Sequence, residues 1–205
     1  MPPKSVIVIK QLGGLNAMKY ISKGIVVNES TEQRLSILRC GYEFLLTGTQ
    51  AALWQNGQFA FSDIQDGSII QKRALEQLRR QELVEIAENN NAGFYRALAR
   101  CVIAPVSRPK LSGWMSCDER VLYKWLCQAG IHLTLAELVF LTENKVLPAD
   151  RWMGEDKRQE LTDLIYDKNN IFDNMLETQM EHADCRDDVV YHVLSLLKKK
   201  RIILL

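Results

Sequence analysis

The side chains best suited to chemistry are few and scattered. Three histidines (His132, His182, His192) and five cysteines (Cys40, Cys101, Cys117, Cys127, Cys185) are spread over 205 residues. His182 and Cys185 form an HxxC with Glu181 adjacent, but a zinc site needs two more ligands at comparable spacing, and the sequence offers none. Cys117-Asp118 with His132 would supply a nucleophile and a base, yet nothing in their spacing fixes a geometry. No GxxxxGKS/T, GxGxxG, GxSxG or HExxH occurs. The cysteines are odd in number and contain no CxxC pair, which argues against a disulfide framework or a zinc ribbon. Most of them read as small buried hydrophobes in a reducing compartment. No catalytic residue, metal or cofactor is expected, and the chain reads as non-enzymatic.

The basic side chains carry more information. The whole chain is nearly neutral, with 26 Lys and Arg against 25 Asp and Glu. The balance is uneven along its length: residues 1–110 hold 14 basic and 9 acidic side chains, a net +5, and residues 111–205 hold 12 and 16, a net −4. A strongly basic stretch, Ser68-Ile69-Ile70-Gln71-Lys72-Arg73-Ala74-Leu75-Glu76-Gln77-Leu78-Arg79-Arg80, has apolar residues on one helical face and cations around the rest. A helix N-terminus offers free N–H groups to phosphate. Lysine and arginine release counterions on binding it, and glutamine and arginine read base edges by paired hydrogen bonds. The second basic run, Lys198-Lys199-Lys200-Arg201, is mirrored by Asp187 and Asp188 at the start of the same helix, as suits a helix charged to match its own dipole. Without that run the second half is strongly acidic, which repels phosphate and fits a protein partner or self-association.

The elements that must position these residues follow from caps, breaks and periodicity. Two short strands are expected at residues 5–10 and 24–27, with two helical turns at 16–22 between them. Ser30-Thr31-Glu32-Gln33 reads as a capping box before a helix to about Thr47, because Leu35, Leu38, Tyr42 and Leu45 recur at helical spacing. A short strand at 58–61 and a single helical turn begun by Ser62-Asp63-Ile64 lead to the basic helix. A strand at 83–86, the polar turn Glu88-Asn89-Asn90-Asn91-Ala92-Gly93 and a strand from Phe94 to Ile103 read as a β-hairpin. Two prolines, two serines and a glycine within 105–113 mark a linker. Beyond it, Ser116-Cys117-Asp118-Glu119 and Thr134-Leu135-Ala136-Glu137 are further capping boxes. They open helices to about residues 129 and 144, and three more follow at 154–168, 171–184 and 186–200. The terminal Ile202-Ile203-Leu204-Leu205 reads as a strand or an apolar tail. Trp54, Trp114, Trp125 and Trp152 read mainly as packing anchors.

The order from residue 30 to 104, long helix, short strand, one-turn helix, basic helix and hairpin, resembles the winged helix-turn-helix superfamily over about 75 residues. The resemblance implies a third helix lying in a DNA groove and a hairpin touching the backbone beside it. It implies contacts to bases or phosphates from Gln71, Lys72 and Arg73 on the helix and to phosphates from Arg96 and Arg100 on the hairpin, and Arg79 and Arg80 of the same basic helix are further candidate nucleic-acid contacts. Glu82, Glu85 and Glu88 depart from that pattern by placing acid beside the wing.

The expected fold is mainly α with small β: a winged-helix-like unit at 1–104, a linker at 105–113 and a helical bundle at 114–205. The expected function is non-enzymatic DNA binding, as a transcriptional regulator, with the second half dimerising or receiving a protein partner. The alternative is a protein-interaction adaptor or complex subunit in which the winged helix is scaffold. With no apolar run near 18 residues and only four apolar residues at 6–9, neither a membrane span nor a signal peptide is expected, and the chain is placed in the cytoplasm.

Overall fold

The computed structural model describes residues 18–31, 34–64, 68–106, 114–128, 133–148, 155–166 and 183–205. The expected strand at 5–10 and most of the expected helix at 171–184 lie outside them. The expectation of a mainly α chain is overturned. The described residues are 50% helical and 24% strand, with seven helices and three small antiparallel sheets.

Strand β1 (Met18–Ser22) replaces the two helical turns expected at 16–22. β2 (Ile25–Thr31), β3 (Arg34–Arg39) and β4 (Tyr42–Thr47) then form an antiparallel sheet in that order where a long helix was expected. The helical spacing of Leu35, Leu38, Tyr42 and Leu45 was misleading. The buried apolar residues are instead Leu35, Ile37 and Leu46, with Phe44 packed beside them, and they follow the two-residue period of a strand. Register pairs Leu35 with Leu46 and Ile37 with Phe44. The reversal is a two-residue turn at Cys40 and Gly41, whose φ angles of 49° and 82° are the positive pair that a tight hairpin requires.

Helix α1 (Thr49–Asn56) follows, burying Ala51 and Trp54. β5 (Ser62–Asp63) takes the place of the expected helical turn and pairs with β1. Helix α2 (Ile69–Arg80) forms as its sequence dictates: Ser68 Oγ accepts from the Gln71 N–H at 3.4 Å, and Ala74, Leu75 and Leu78 are buried. It ends at Glu82, φ 56°, where the Leu83 N–H returns to the Leu78 carbonyl at 2.9 Å. β6 (Val84–Glu88) then pairs with β1 along its whole length, giving the order β5-β1-β6.

The expected β-hairpin over residues 83–103 is a strand, a helix and a second strand in different sheets. Asn90 caps α3 (Asn91–Leu98) by accepting from the Gly93 N–H at 2.6 Å. That side-chain cap turns a polar hairpin signal into a helix start. β7 (Ile103–Pro105) pairs with the terminal strand β8 (Ile202–Leu204) rather than with β6. Between them lie α4 (Cys117–Gln128), α5 (Leu135–Glu143), α6 (Glu155–Ile165) and α7 (Ala183–Lys198). Of the three expected capping boxes the two in the second half are present, whereas Ser30 and Thr31 of the first lie in β2. Glu119 Oε2 accepts from the Ser116 N–H at 2.7 Å, and Glu137 Oε2 from the Thr134 N–H at 2.6 Å, each answered by the reciprocal bond.

Two hydrophobic clusters result. One joins β1, β3, β4, α1, α2 and the start of β6 around Trp54, Ile37 and Leu78. The other joins α3, β7 and β8 to the C-terminal helices around Leu98, Trp125 and Val193, and takes in Ile21 of β1. The second cluster therefore draws side chains from both sides of the 105–113 stretch. Trp54 and Trp125 are anchors as expected, whereas Trp114 is 96% exposed. Three of the five cysteines (Cys40, Cys117, Cys127) are exposed and only Cys101 is fully buried.

Gly93 sits against β6 so closely that a Cβ there would lie 2.4 Å from the Glu88 carbonyl oxygen. Because the obstacle is backbone, Gly93→Ala is expected to lower stability by about 2 kcal/mol. Chemical denaturation measures this as a lower midpoint, with Ala92→Gly as a neighbouring control for helix propensity alone.

Candidate charged site at the end of the central sheet

Where β1 ends, the chain meets the end of β3, the end of α2, the start of β6 and the residues after α3. Their side chains line a cavity of about 350 Å³: Lys23, Arg39, Arg79, Arg100, Glu82 and Glu85, with Val84 and Ile86. Lys23 is only 2% exposed and donates to Glu85 Oε1 at 2.7 Å. Its own backbone is fixed: the N–H donates to the Leu83 carbonyl at 2.8 Å, and the carbonyl accepts from Trp54 Nε1 at 3.0 Å. Burying an ammonium in this way is costly unless it is paired, and removing the carboxylate of such a pair is expected to cost about 3–5 kcal/mol.

Arg39 extends the buried alternation of β3 one step beyond Ile37. Its NH1 donates to Glu82 Oε2 at 2.8 Å, while its Nε is buried with no hydrogen-bond partner among the described residues. An unmet buried donor costs about 1–3 kcal/mol. The hydrogen bond and charge of Arg39, with help from Lys23, hold the Glu82 carboxyl below its ordinary pKa. Arg100 reaches Glu85 Oε2 only at 3.7 Å, and Arg79 reaches Glu76 only at 3.8 Å. Four cations therefore face two carboxylates across this cavity, and two of the cations are loosely held.

Of the residues expected to touch nucleic acid, Arg79 and Arg100 meet here. Gln71 and Lys72 line a different cavity of about 400 Å³, beside Tyr20, Phe61, Ser62 and Asp63. Arg73 is exposed on the outer side of α2. Arg80 pairs with Glu76 at 3.3 Å and Arg96 with Glu88 at 3.1 Å. The seven residues thus do not form one positive stripe, because Glu76, Glu82, Glu85 and Glu88 interrupt it. Lys23 and Arg39, the best-buried cations of the cavity, were missed by sequence reasoning. Their one signal was position: Lys23 precedes the Gly24 break, and Arg39 precedes the Cys40-Gly41 turn.

The basic run near the C-terminus is used within the fold. Lys199 Nζ lies 2.7 Å from Glu119 Oε2 and donates to the Trp114 carbonyl at 2.9 Å. Lys200 lies 4.8 Å over the Phe59 ring, and Arg201 is 5% exposed.

His132 and His182 lie outside the described residues, so neither the HxxC nor the Cys117–His132 pairing is placed. His192 Nε2 stands 3.8 Å from Asp118 Oδ2. Among the described residues, no group of three His, Cys, Asp or Glu side chains is arranged to hold a metal ion. No helix of the described residues is long and apolar enough to cross a membrane. Comparisons with protein-family models, with curated proteins and with solved structures find no match for this chain.

The thiols test these environments. Burial pushes Cys101 up to about 12 and Cys185 up to about 11. The thiolate is the nucleophile, so iodoacetamide at pH 8 is expected to label Cys40, Cys117 and Cys127 first, Cys185 slowly and Cys101 only after unfolding. Below pH 11, labelling of Cys185 should accelerate roughly tenfold per pH unit, following its thiolate fraction. Peptide mass spectrometry reads the order, and rapid labelling of Cys101 in the native chain would contradict this packing.

Proposed function

We propose that this chain is a non-enzymatic protein-interaction module, whose partner-binding surface is the outer face of the β2-β3-β4 sheet. The observation that carries the reading is the cluster of exposed apolar side chains on that face, set around the Ser36–Glu43 hydrogen bond. Register places Ile25 opposite Leu38, and Leu45 opposite Ser36, two residues from Leu38 on the same side. Leu45 is 67% exposed, and Ile25 and Leu38 are also open to solvent. An antiparallel sheet packed on one face usually turns polar side chains to water on the other. Clustered apolar residues there mark an interaction surface more often than a solvated one. Ile69 and Ile70, exposed in the first turn of the basic helix, add apolar surface where phosphate contacts would be expected.

Duplex DNA is a second reading, favoured by one observation: Gln71, Lys72 and Arg73 are all exposed in the first half of α2. Against it, Arg80 and Arg96 pair with glutamates at 3.3 and 3.1 Å, and Arg79 and Arg100 line the charged cavity with Glu82 and Glu85 rather than extending a stripe from Gln71 to Arg73.

Affinity capture from the source cells with wild type, Leu38→Lys/Leu45→Lys and Lys72→Gln/Arg73→Gln separates the two. The protein reading expects a stoichiometric partner, or a second copy of the chain, that the apolar pair of substitutions reduces at least tenfold and the charge pair leaves within twofold. Titration of duplex DNA at low salt gives the opposing outcome. Tight binding that falls steeply with salt, and that Lys72→Gln/Arg73→Gln alone abolishes, would replace the protein reading with the DNA one.

A further inference from the structure

We propose that the cavity lined by Lys23, Arg39, Arg79 and Arg100 is a binding site for a phosphate monoester dianion. This inference is independent of the apolar sheet face. The charges point to the ligand: the lining sets four cations against Glu82 and Glu85, and Glu76, the further carboxylate beside Arg79, is balanced by Arg80, which leaves two positive charges in excess. A phosphate monoester carries close to two negative charges near neutral pH and has several strong acceptor oxygens. A phosphodiester or a carboxylate carries one negative charge and leaves the excess half matched.

The donors are graded from fixed to mobile. Lys23 and Arg39 form the floor, held by Glu85 and Glu82 at 2.7 and 2.8 Å. Arg79 and Arg100 form the mouth. Their side chains are 61% and 69% exposed, and their glutamate contacts, at 3.8 and 3.7 Å, are long enough to exchange for a phosphate oxygen. The volume of about 350 Å³ exceeds that of a phosphate group and leaves room for the carrier of the ester. All six charged residues sit on or beside paired strands and helix ends, so the site is largely assembled before a ligand arrives.

The test is calorimetric titration of the full chain at pH 7.5 and fixed ionic strength with O-phosphoserine, inorganic phosphate and dimethyl phosphate. One-to-one binding of the first two is expected, with dimethyl phosphate at least tenfold weaker. Arg79→Gln/Arg100→Gln should weaken phosphoserine at least tenfold, and Lys72→Gln/Arg73→Gln should leave it within twofold. The mouth residues are more than half exposed, and circular dichroism confirms that each variant is folded. A phosphoserine peptide distinguishes two sources of the same chemistry. Tenfold tighter binding than the free amino acid assigns the ester to a protein side chain, and equal binding assigns it to a small molecule. The site is refuted by absent saturation with O-phosphoserine or with inorganic phosphate, by equal affinity for dimethyl phosphate, or by equal loss in the two double variants, which would mark general attraction to a basic surface.

Discussion

Strand β1 turns adjacent side chains into different hydrophobic clusters, and the rest of the structure is arranged around that alternation. Tyr20 enters the cluster of α1, α2 and the hairpin sheet, while Ile21 enters the cluster of α3, β7, β8 and the C-terminal helices. The strand is held on both edges, by β5 and by β6, so neither side chain shifts without breaking a ladder. Its end is anchored as well: Ser22 Oγ donates to the Trp54 carbonyl at 2.7 Å, and the Gly24 N–H donates to the Leu204 carbonyl at 2.8 Å. One five-residue strand thereby links the two clusters, although they are built mainly from different parts of the chain. The charged cavity lies where this strand stops and the chain turns towards β2, which fixes Lys23 more firmly than a loop residue usually is.

The positive excess of the first half takes a different form in the fold from the one its composition implies. A run of cations on a helix reads in sequence as a continuous field. In the structure, Glu76, Glu82, Glu85 and Glu88 each stand beside one or more of those cations. Exposed pairs of this kind contribute little stability, but they cancel charge locally and confine the unbalanced remainder to one place. The acidic second half likewise uses Glu119 internally, against Lys199 of its own basic run. Net charge per segment was therefore a poor guide to the surface, because partners came from other elements.

What was legible in the sequence was what short-range chemistry decides. Ser68, Ser116 and Thr134 cap helices where they were expected to, since a cap needs only residues three apart. The errors lay where partners are distant. Leu35, Leu38, Tyr42 and Leu45 satisfy a helical period, yet Leu38 pairs with Glu43 across a turn whose Cys40 takes a positive φ that few residues adopt. Asn90 and Gly93 fit a hairpin turn equally well, and the close contact of Gly93 with β6 decides for a helix only once β6 is in place. The same distance hid the site: Arg79 and Arg100 were visible on elements rich in arginine, whereas Lys23 and Arg39 became neighbours only through the hairpin.

That hairpin also ties the two proposed surfaces to a single feature of β3. Leu35, Ile37 and Arg39 share the face turned towards the core, and Ser36 and Leu38 share the other. Extended backbone alternates side chains strictly, so the register that buries Ile37 at the centre of one cluster also directs Arg39 towards the charged cavity and Leu38 towards solvent. A shift of one residue would exchange all three at once. It would bury Leu38, expose Ile37 and carry the guanidinium away from Glu82. The sheet therefore holds its apolar outer face and its contribution to the cavity together, and the packing of Ile37 against Trp54 and Leu78 secures both.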